Sequence, residues 1–222
     1  MDRASQAFAD PRNHMVDSQV RPNKVTDPRI LAAMRHLPRE RFIPDDLAAL
    51  AYADADVPLG AGRVLIEPMV IARLLQLTAV AVGERTLVVG AGTGYAAAVL
   101  AACGARVTAL EESAPLLAIA RSILAEWAPG VSLVSGPLAA GWPPGAPYDV
   151  ILIEGAVRKV PPAIADQLHK ETGRLVTVCS NPETRGQAVL AEATVAGLRT
   201  QPMFDCATPL IPSLAPPAGF VF

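Results

Sequence analysis

Aromatic side chains are scarce in this 222-residue sequence: Phe, Trp and Tyr make up 5% of it, against 51% for hydrophobic residues as a whole. A core with so few rings has to be assembled from Ala, Val, Leu and Ile packed between layers, which is a globular composition. No apolar run reaches the roughly 20 residues that cross a bilayer before Gly, Pro or a charge interrupts it, so no membrane partner is expected. A charge excess is missing too. Nineteen basic against 21 acidic residues leave a net charge of −2, too balanced to neutralise a phosphate backbone, and no nucleic-acid partner is expected. Cys103, Cys179 and Cys206 are widely spaced, with no CxxC pair and no nearby His. They suggest neither a disulfide framework nor a metal site, and read as buried reduced thiols. His14, His36 and His169 stand apart from any nucleophile or metal-spaced partner and read as structural or surface residues. The first residues, MDRASQAFADPRNHMVDSQVRPN, place charges and a proline where a secretory signal needs an apolar stretch. The sequence therefore reads as a mature, cytoplasmic protein.

The first third is punctuated by proline. Thr26 or Asp27 can cap a helix with Pro28 in its first turn, placing Ile30, Leu31, Met34 and Leu37 on one face before Pro38 stops it. A second helix is expected over 45–53 and a third from Pro68 through Val70, Ile71, Leu74 and Leu75, with ADADVPLGAGRVLIEP between them read as a loop. From Arg85 strands and helices alternate. Strands are expected at 86–89, 106–110, 131–134, 148–153 and 174–179, the last after the turn Thr172-Gly173. Helices are expected at 95–103, from a Ser113 cap to about 127, and at 162–169. That alternation predicts an α/β fold, a mostly parallel Rossmann-like sheet with helices on both faces. The tail from Ala188 reads as two further strands and a proline-rich end, whose Leu210, Phe220 and Phe222 pack on the fold or make a dimer contact. We expect one domain over 1–222, with 1–80 a helical, substrate-side extension and 81–222 the core and C-terminal strands.

The chemistry is carried by Gly90-Ala91-Gly92-Thr93-Gly94. A glycine turn directly after a parallel strand and before a helix lets the backbone approach a ligand and aims helix N-terminal amides at it. Glu111, 21 residues beyond Gly90 at the end of the next strand, can accept hydrogen bonds from ribose hydroxyls. GxGxG followed by Tyr95 departs from the GxGxxG of dinucleotide binders. A tighter turn with an acid on the ribose suits S-adenosyl-L-methionine (SAM), which has no pyrophosphate to seat. A glycine turn serving chain geometry alone is the bland alternative.

The blocks MVDSQVRPNKVTDPRILAAM, LPRERFIP, AYADADVPLG, LVVGAGTGYAAAVLA, VTALEES, GWPPGAPYDVILIEGA and DQLHKETGRLV occur in the order and spacing of one family. Through them the chain resembles the protein-L-isoaspartate O-methyltransferase family, which uses SAM to methylate isoaspartyl carboxylates in damaged proteins. The resemblance runs to about residue 180. It implies a protein or peptide substrate, and puts Gly90, Gly92, Gly94 and Tyr95 against the cofactor, Glu111 on its ribose and Leu138 beside it.

Four positions depart from the family pattern. Ile66 stands at the active-site serine in VLIEP, and Val88 at the acid two residues before the first glycine. Pro137 replaces the aspartate that approaches the adenine side, and IEGA takes the place of a VTAA-like run, bringing in Glu154. Losing a charge-assisted hydrogen bond costs about 1.5 to 3 kcal/mol, and Pro137 also lacks a backbone donor, so weaker SAM binding is expected. The catalytic residues are left unassigned. Glu67 and Glu154 are candidate cleft residues unless paired at the surface with Arg63, Arg158 or Lys159. An ionised acid about 4 Å from a substrate carboxylate would repel it by roughly 4 kcal/mol at an effective dielectric of 20. Asp54 and Asp56 are candidates for closing the cleft, or for turn and capping roles. Transfer of a methyl group to a carboxylate needs no strong base, because the nucleophile is already ionised, so positioning and desolvation can carry it. The main reading is thus a SAM-dependent carboxyl methyltransferase. The alternative is a paralogue that kept the fold without isoaspartyl activity, as a binding protein or as a SAM enzyme with another acceptor.

Overall fold

The computed structural model describes residues 8–180, 186–195 and 197–215. The N-terminal layer holds α1 (Ala9–Met15), continued by a π-helical turn Val16–Val20 and a 3-10 turn Arg21–Asn23, and then α2 (Pro28–His36). Asp27 caps α2, its carboxylate accepting from the Arg29 amide at 2.9 Å, and Pro28 is already set for the first turn. The expected helix over 45–53 is a 3-10 segment, Asp45–Leu50, none of whose residues is buried. Without an apolar face to dock, nothing rewards the longer α-helical form.

The stretch read as a loop contains an antiparallel hairpin, β1 (Val57–Gly60) and β2 (Arg63–Leu65), after which α3 (Pro68–Leu77) begins. The Rossmann-like part follows as β3 (Arg85–Val89), α4 (Tyr95–Ala102), β4 (Arg106–Glu111), α5 (Ala114–Trp127), β5 (Ser132–Ser135), β6 (Val150–Val157), α6 (Pro162–Ala165) and β7 (Arg174–Cys179). β8 (Gln187–Thr194) and β9 (Gly197–Asp205) close it. The sheet runs β5-β4-β3-β6-β7-β8-β9, parallel from β5 to β7 and antiparallel at β8 and β9. Every residue of β6 is buried, as the centre of a sheet covered on both faces requires. On α5, Leu116, Leu117, Ala120, Ile123 and Leu124 form the buried stripe. Ser113 occupies the N-cap of α5, yet its hydroxyl makes no cap bond. Its amide donates instead to Glu111 Oε1 at 3.0 Å. The helix expected over 162–169 is a single short turn.

One buried cluster joins Met15, Met34, Phe42, Leu65 and Ile71 of the N-terminal layer to Val88, Tyr95, Leu100, Leu152 and Val178 of the sheet and α4. A second, on the other face, gathers Leu87, Leu110, Leu138, Ile151, Ile164 and Ile211. Cys103 is buried and Cys179 and Cys206 are half-buried, all three as free thiols. His36 packs edge-on against Trp127, and Nδ1 of His169 lies 3.0 Å from the Thr172 hydroxyl. Leu210 packs against the first cluster, whereas Phe220 and Phe222 lie outside the described residues. Among the described residues no helix is long and apolar enough to cross a membrane, and no group of three or more His, Cys, Asp or Glu is placed to hold a metal ion.

Candidate functional site

The sheet's strand order reverses between β3 and β6, and the crevice outside the carboxyl ends of strands at such a point is where α/β sheets bind ligands. The turn 90–94 lies there. Gly90 and Gly94 have φ of +72° and +97°, which glycine adopts without strain. The amides of Gly90 and Ala91 both donate to the Leu110 carbonyl, at 2.9 and 3.0 Å, binding the turn to the end of β4.

Glu111, fully buried, is the organising acid. Its Oε1 accepts from the amides of Glu112 and Ser113 at 2.9 and 3.0 Å. Its Oε2 accepts from the Gly92 amide at 2.8 Å and from Arg63 Nη1 at 3.0 Å. Arg63 arrives from β2 and is itself 7% exposed. Its Nη2 donates to the Gly90 carbonyl at 2.5 Å and to the Glu154 carbonyl at 3.3 Å. The guanidinium thus lies on the turn, so close that a Cβ on Gly90 would be 2.9 Å from Nη2. The expectation that Arg63 pairs with the carboxylate of Glu67 or Glu154 is corrected. It pairs with Glu111, and residue 154 offers it only a backbone oxygen. Nor do Arg158 and Lys159 engage those acids, since Arg158 donates to the Ser180 carbonyl at 3.3 Å and no ion pair of Lys159 occurs among the described residues.

Residues 208–211 form a second cover. The Ala156 amide donates to Pro209 O at 3.1 Å and the Ile211 amide to Ala156 O at 2.9 Å, laying this segment along the end of β6. The Ile211 side chain lies between the two glycine positions of the site, 3.3 Å from a Cβ on Gly90 and 2.6 Å from one on Gly155. Asp56 ties the segment to the start of α3: its Oδ2 accepts from the Thr208 hydroxyl at 3.1 Å and its Oδ1 from the Glu67 amide at 2.8 Å. Its role is that of a turn and segment anchor. Asp54 is exposed.

The two added acids sit in different surroundings. Glu154 is 4% exposed, and its Oε2 has no hydrogen-bond partner among the described residues. Burial pushes its carboxyl up to about 8. Arg63 pulls it down, Glu111 pushes it up and Arg39 pulls it down again, each by less than burial. Glu67 is half-buried on the other side, its carboxyl raised by burial first and then by the like charges of Asp54 and Asp56.

Arg39, which sequence reasoning passed over, is fully buried behind the site. Its Nε donates to the Ala51 carbonyl at 2.7 Å and its Nη2 to the Ile66 carbonyl at 2.5 Å. Its guanidinium carbon lies 4.9 Å from the Tyr95 ring centroid, and burial lowers its pKa. The sequence signal was faint: two arginines, Arg39 and Arg41, stand in the block LPRERFIP, and nothing local says that the first is the buried one. The Tyr95 ring packs edge-on to Phe42 and against Arg39 inside the core, which leaves its backbone, at the start of α4, as the part beside the turn. Leu138 is fully buried, and its amide lies 3.5 Å from Glu112 Oε2. Ile66 and Val88 are buried in the core, and Pro137 is exposed.

The family model for protein-L-isoaspartate(D-aspartate) O-methyltransferase matches residues 10–197. The chain belongs to that family. It is 43% identical over 182 residues to the protein-L-isoaspartate O-methyltransferase of Methylorubrum extorquens strain PA1, covering 82% of this chain and 78% of the relative. With protein-L-isoaspartate O-methyltransferase 1 of Rhodopseudomonas palustris strain HaA2 it shares 38% identity over 201 residues, covering 90% and 82%. Its fold matches a solved protein-L-isoaspartate O-methyltransferase with TM-score 0.79 at 24% identity, over 92% of this chain and 67% of the other. A Plasmodium falciparum protein assigned to the same enzyme class, crystallised with S-adenosyl-L-homocysteine, matches with TM-score 0.73 at 17% identity, over 91% and 98%. Family membership makes the chain an enzyme of the SAM-dependent methyltransferase class.

Proposed function

We propose that the chain methylates a carboxylate of a damaged, isoaspartyl-containing protein, with SAM as donor, in the cytoplasm. The chain works as one unit, 1–80 facing the substrate and 81–222 the cofactor. The observation that carries the reading is the Glu111 carboxylate drawn against the Gly92 amide at the switch point of a chain matching the family model from 10 to 197. That donor and acceptor set fits the cofactor. The turn carries no side chain of its own at 90, 92 or 94, the space beside these positions being taken by Arg63 and Ile211, by Leu59 and by Leu124, and Glu111 is an acid beside it with an oxygen that ribose hydroxyls can take over from Arg63. Gly90, Gly92, Gly94 and the backbone of Tyr95 would hold the methionine side, Glu111 the ribose, and the Leu138 amide, with Pro137, the adenine side.

The bound cofactor would supply a methyl group on a sulfonium. Its transfer to an ionised carboxylate would cancel two opposite charges. This chain has to bring the acceptor close and dry, and no proton has to be abstracted. Glu154 suits that task better than its appearance in the sequence suggests. With its carboxyl at about 8 it is mostly neutral at pH 7, so it does not repel an acceptor carboxylate and has an O–H to donate. Ile66, in the family's serine position, is buried in the core and offers an acceptor no hydroxyl.

Incubation with an isoaspartyl peptide and methyl-labelled SAM tests the reading, with base-labile methyl ester as the expected product. Absence of ester beside an active control enzyme refutes the acceptor, and labelling of a different group moves the chain to another acceptor class.

A further inference from the structure

The cation on the ribose acid is part of this chain, and it comes from the substrate side. Arg63 satisfies one quarter of the acceptor capacity of Glu111, two carbonyl oxygens at 90 and 154 bind its other terminal nitrogen, and its guanidinium takes the space directly over Gly90. Glu111 already accepts from four donors, of which the Arg63 guanidinium is the one side chain, so ribose hydroxyls would gain an oxygen most readily by displacing it. The arm that carries Arg63 is short: β2 leads through Leu65 and Ile66 into α3, and the hairpin turns at Gly60, Ala61 and Gly62, all with positive φ. Leu59 packs toward Gly92, and Pro212 lies over Gly62. The hairpin therefore touches the cofactor turn and the C-terminal segment, and leads into α3.

We propose that Arg63 is an internal competitor for the cofactor site: it holds the ribose acid in the cofactor-free chain, and cofactor binding withdraws it. Arg63 thereby sets cofactor affinity, and its release repositions the hairpin beside Ile66 and Glu67, so that the acceptor side responds to whether cofactor is present. This rests on the SAM-site reading above. The exchange gives Glu111 ribose hydroxyls in place of a cation and hands three donor contacts of Arg63 back to water. Binding is weakened by the work of breaking them.

The test is calorimetric titration of S-adenosyl-L-homocysteine into the wild-type chain, Arg63→Lys and Arg63→Ala. The lysine variant keeps a cation for Glu111 and the fold, but lacks the fork that reaches Glu111 and both carbonyls at once. The alanine variant removes the competitor. Expected are dissociation constants lowered about threefold by lysine and tenfold to a hundredfold by alanine, the range for losing one competing charge-assisted interaction. Should alanine fail to fold, the lysine variant carries the test alone. Tighter binding by a variant when wild type is silent also supports the proposal. Wild-type binding that neither variant tightens overturns it and leaves the cofactor reading standing. Silence of all three at millimolar ligand overturns both.

Discussion

Replacing Glu154 by Gln should stabilise the protein more at pH 8 than at pH 5, in an amount fixed by where Glu154 sits. Its carboxyl titrates at about 8 in the fold, against 4.5 for the ordinary group, chiefly because it is buried. The native state therefore holds one more proton than the unfolded chain through that window. Stability from this group is fully present below 4.5 and is lost as pH rises through 8. One proton of difference corresponds to about 1.4 kcal/mol per pH unit, or about 4 to 5 kcal/mol across the window. Gln keeps the shape and cannot ionise, so its stability relative to wild type should climb at close to 1.4 kcal/mol per pH unit between pH 5 and 7.5. Other titrating groups, Asp56 and Glu67 among them, are common to both proteins and cancel in the difference. Urea denaturation at pH 5, 6, 7 and 8 gives the comparison directly. Parallel stability curves would refute the reasoning, and would mean that Glu154 ionises normally and repels a carboxylate acceptor at neutral pH.

Arg39→Ala leaves the Ala51 and Ile66 carbonyls without their donor and opens a hole beside Tyr95, so urea denaturation should show a loss of about 3 kcal/mol. Arg39→Met, which refills the stem's volume, should recover part of it, and a methionine variant as weak as alanine would assign the whole loss to the bonds. Gly94→Ala forces an L side chain to φ +97° and sets its Cβ 2.9 to 3.1 Å from three atoms of Leu124, for an expected cost of about 2 to 3 kcal/mol. Combined with Leu124→Ala it should cost less than the sum of the two, because one term is their collision. Additive losses would leave backbone strain as the entire cause.

The alternation from β3 to β7 was legible because each element is local, a β-branched run followed by a turn and an apolar stripe. The nearness of the glycine turn to Glu111 was legible because both lie at fixed offsets along that alternation, although the amide that reaches the acid is that of Gly92. The β1–β2 hairpin was not. Pro58, Gly60 and Gly62 fill a stretch whose strands are only four and three residues long, and such composition reads as loop. The fate of Arg63 was invisible for a different reason. Its acid is 48 residues away, and equally good acids at 67 and 154 were nearer or more conspicuous. Ile211 carries no local sign at all, since only the return of residues 208–211 to β6 makes it a wall of the cleft. Glu154 was seen as a candidate, but its burial was not: sequence gives the acid, whereas burial is what raises its carboxyl.

Asp56 has a consequence for the order in which the site is made. One of its oxygens is satisfied at once by Glu67, 11 residues on, while the other waits for Thr208, 152 residues on. On a ribosome, the glycine turn, its acid and Arg63 can all be in place while the wedge at Ile211 has yet to be synthesised. Closing so long a loop is entropically slow. Until residues 208–211 return to β6, the glycine turn and its acid lack the cover that Ile211 gives them.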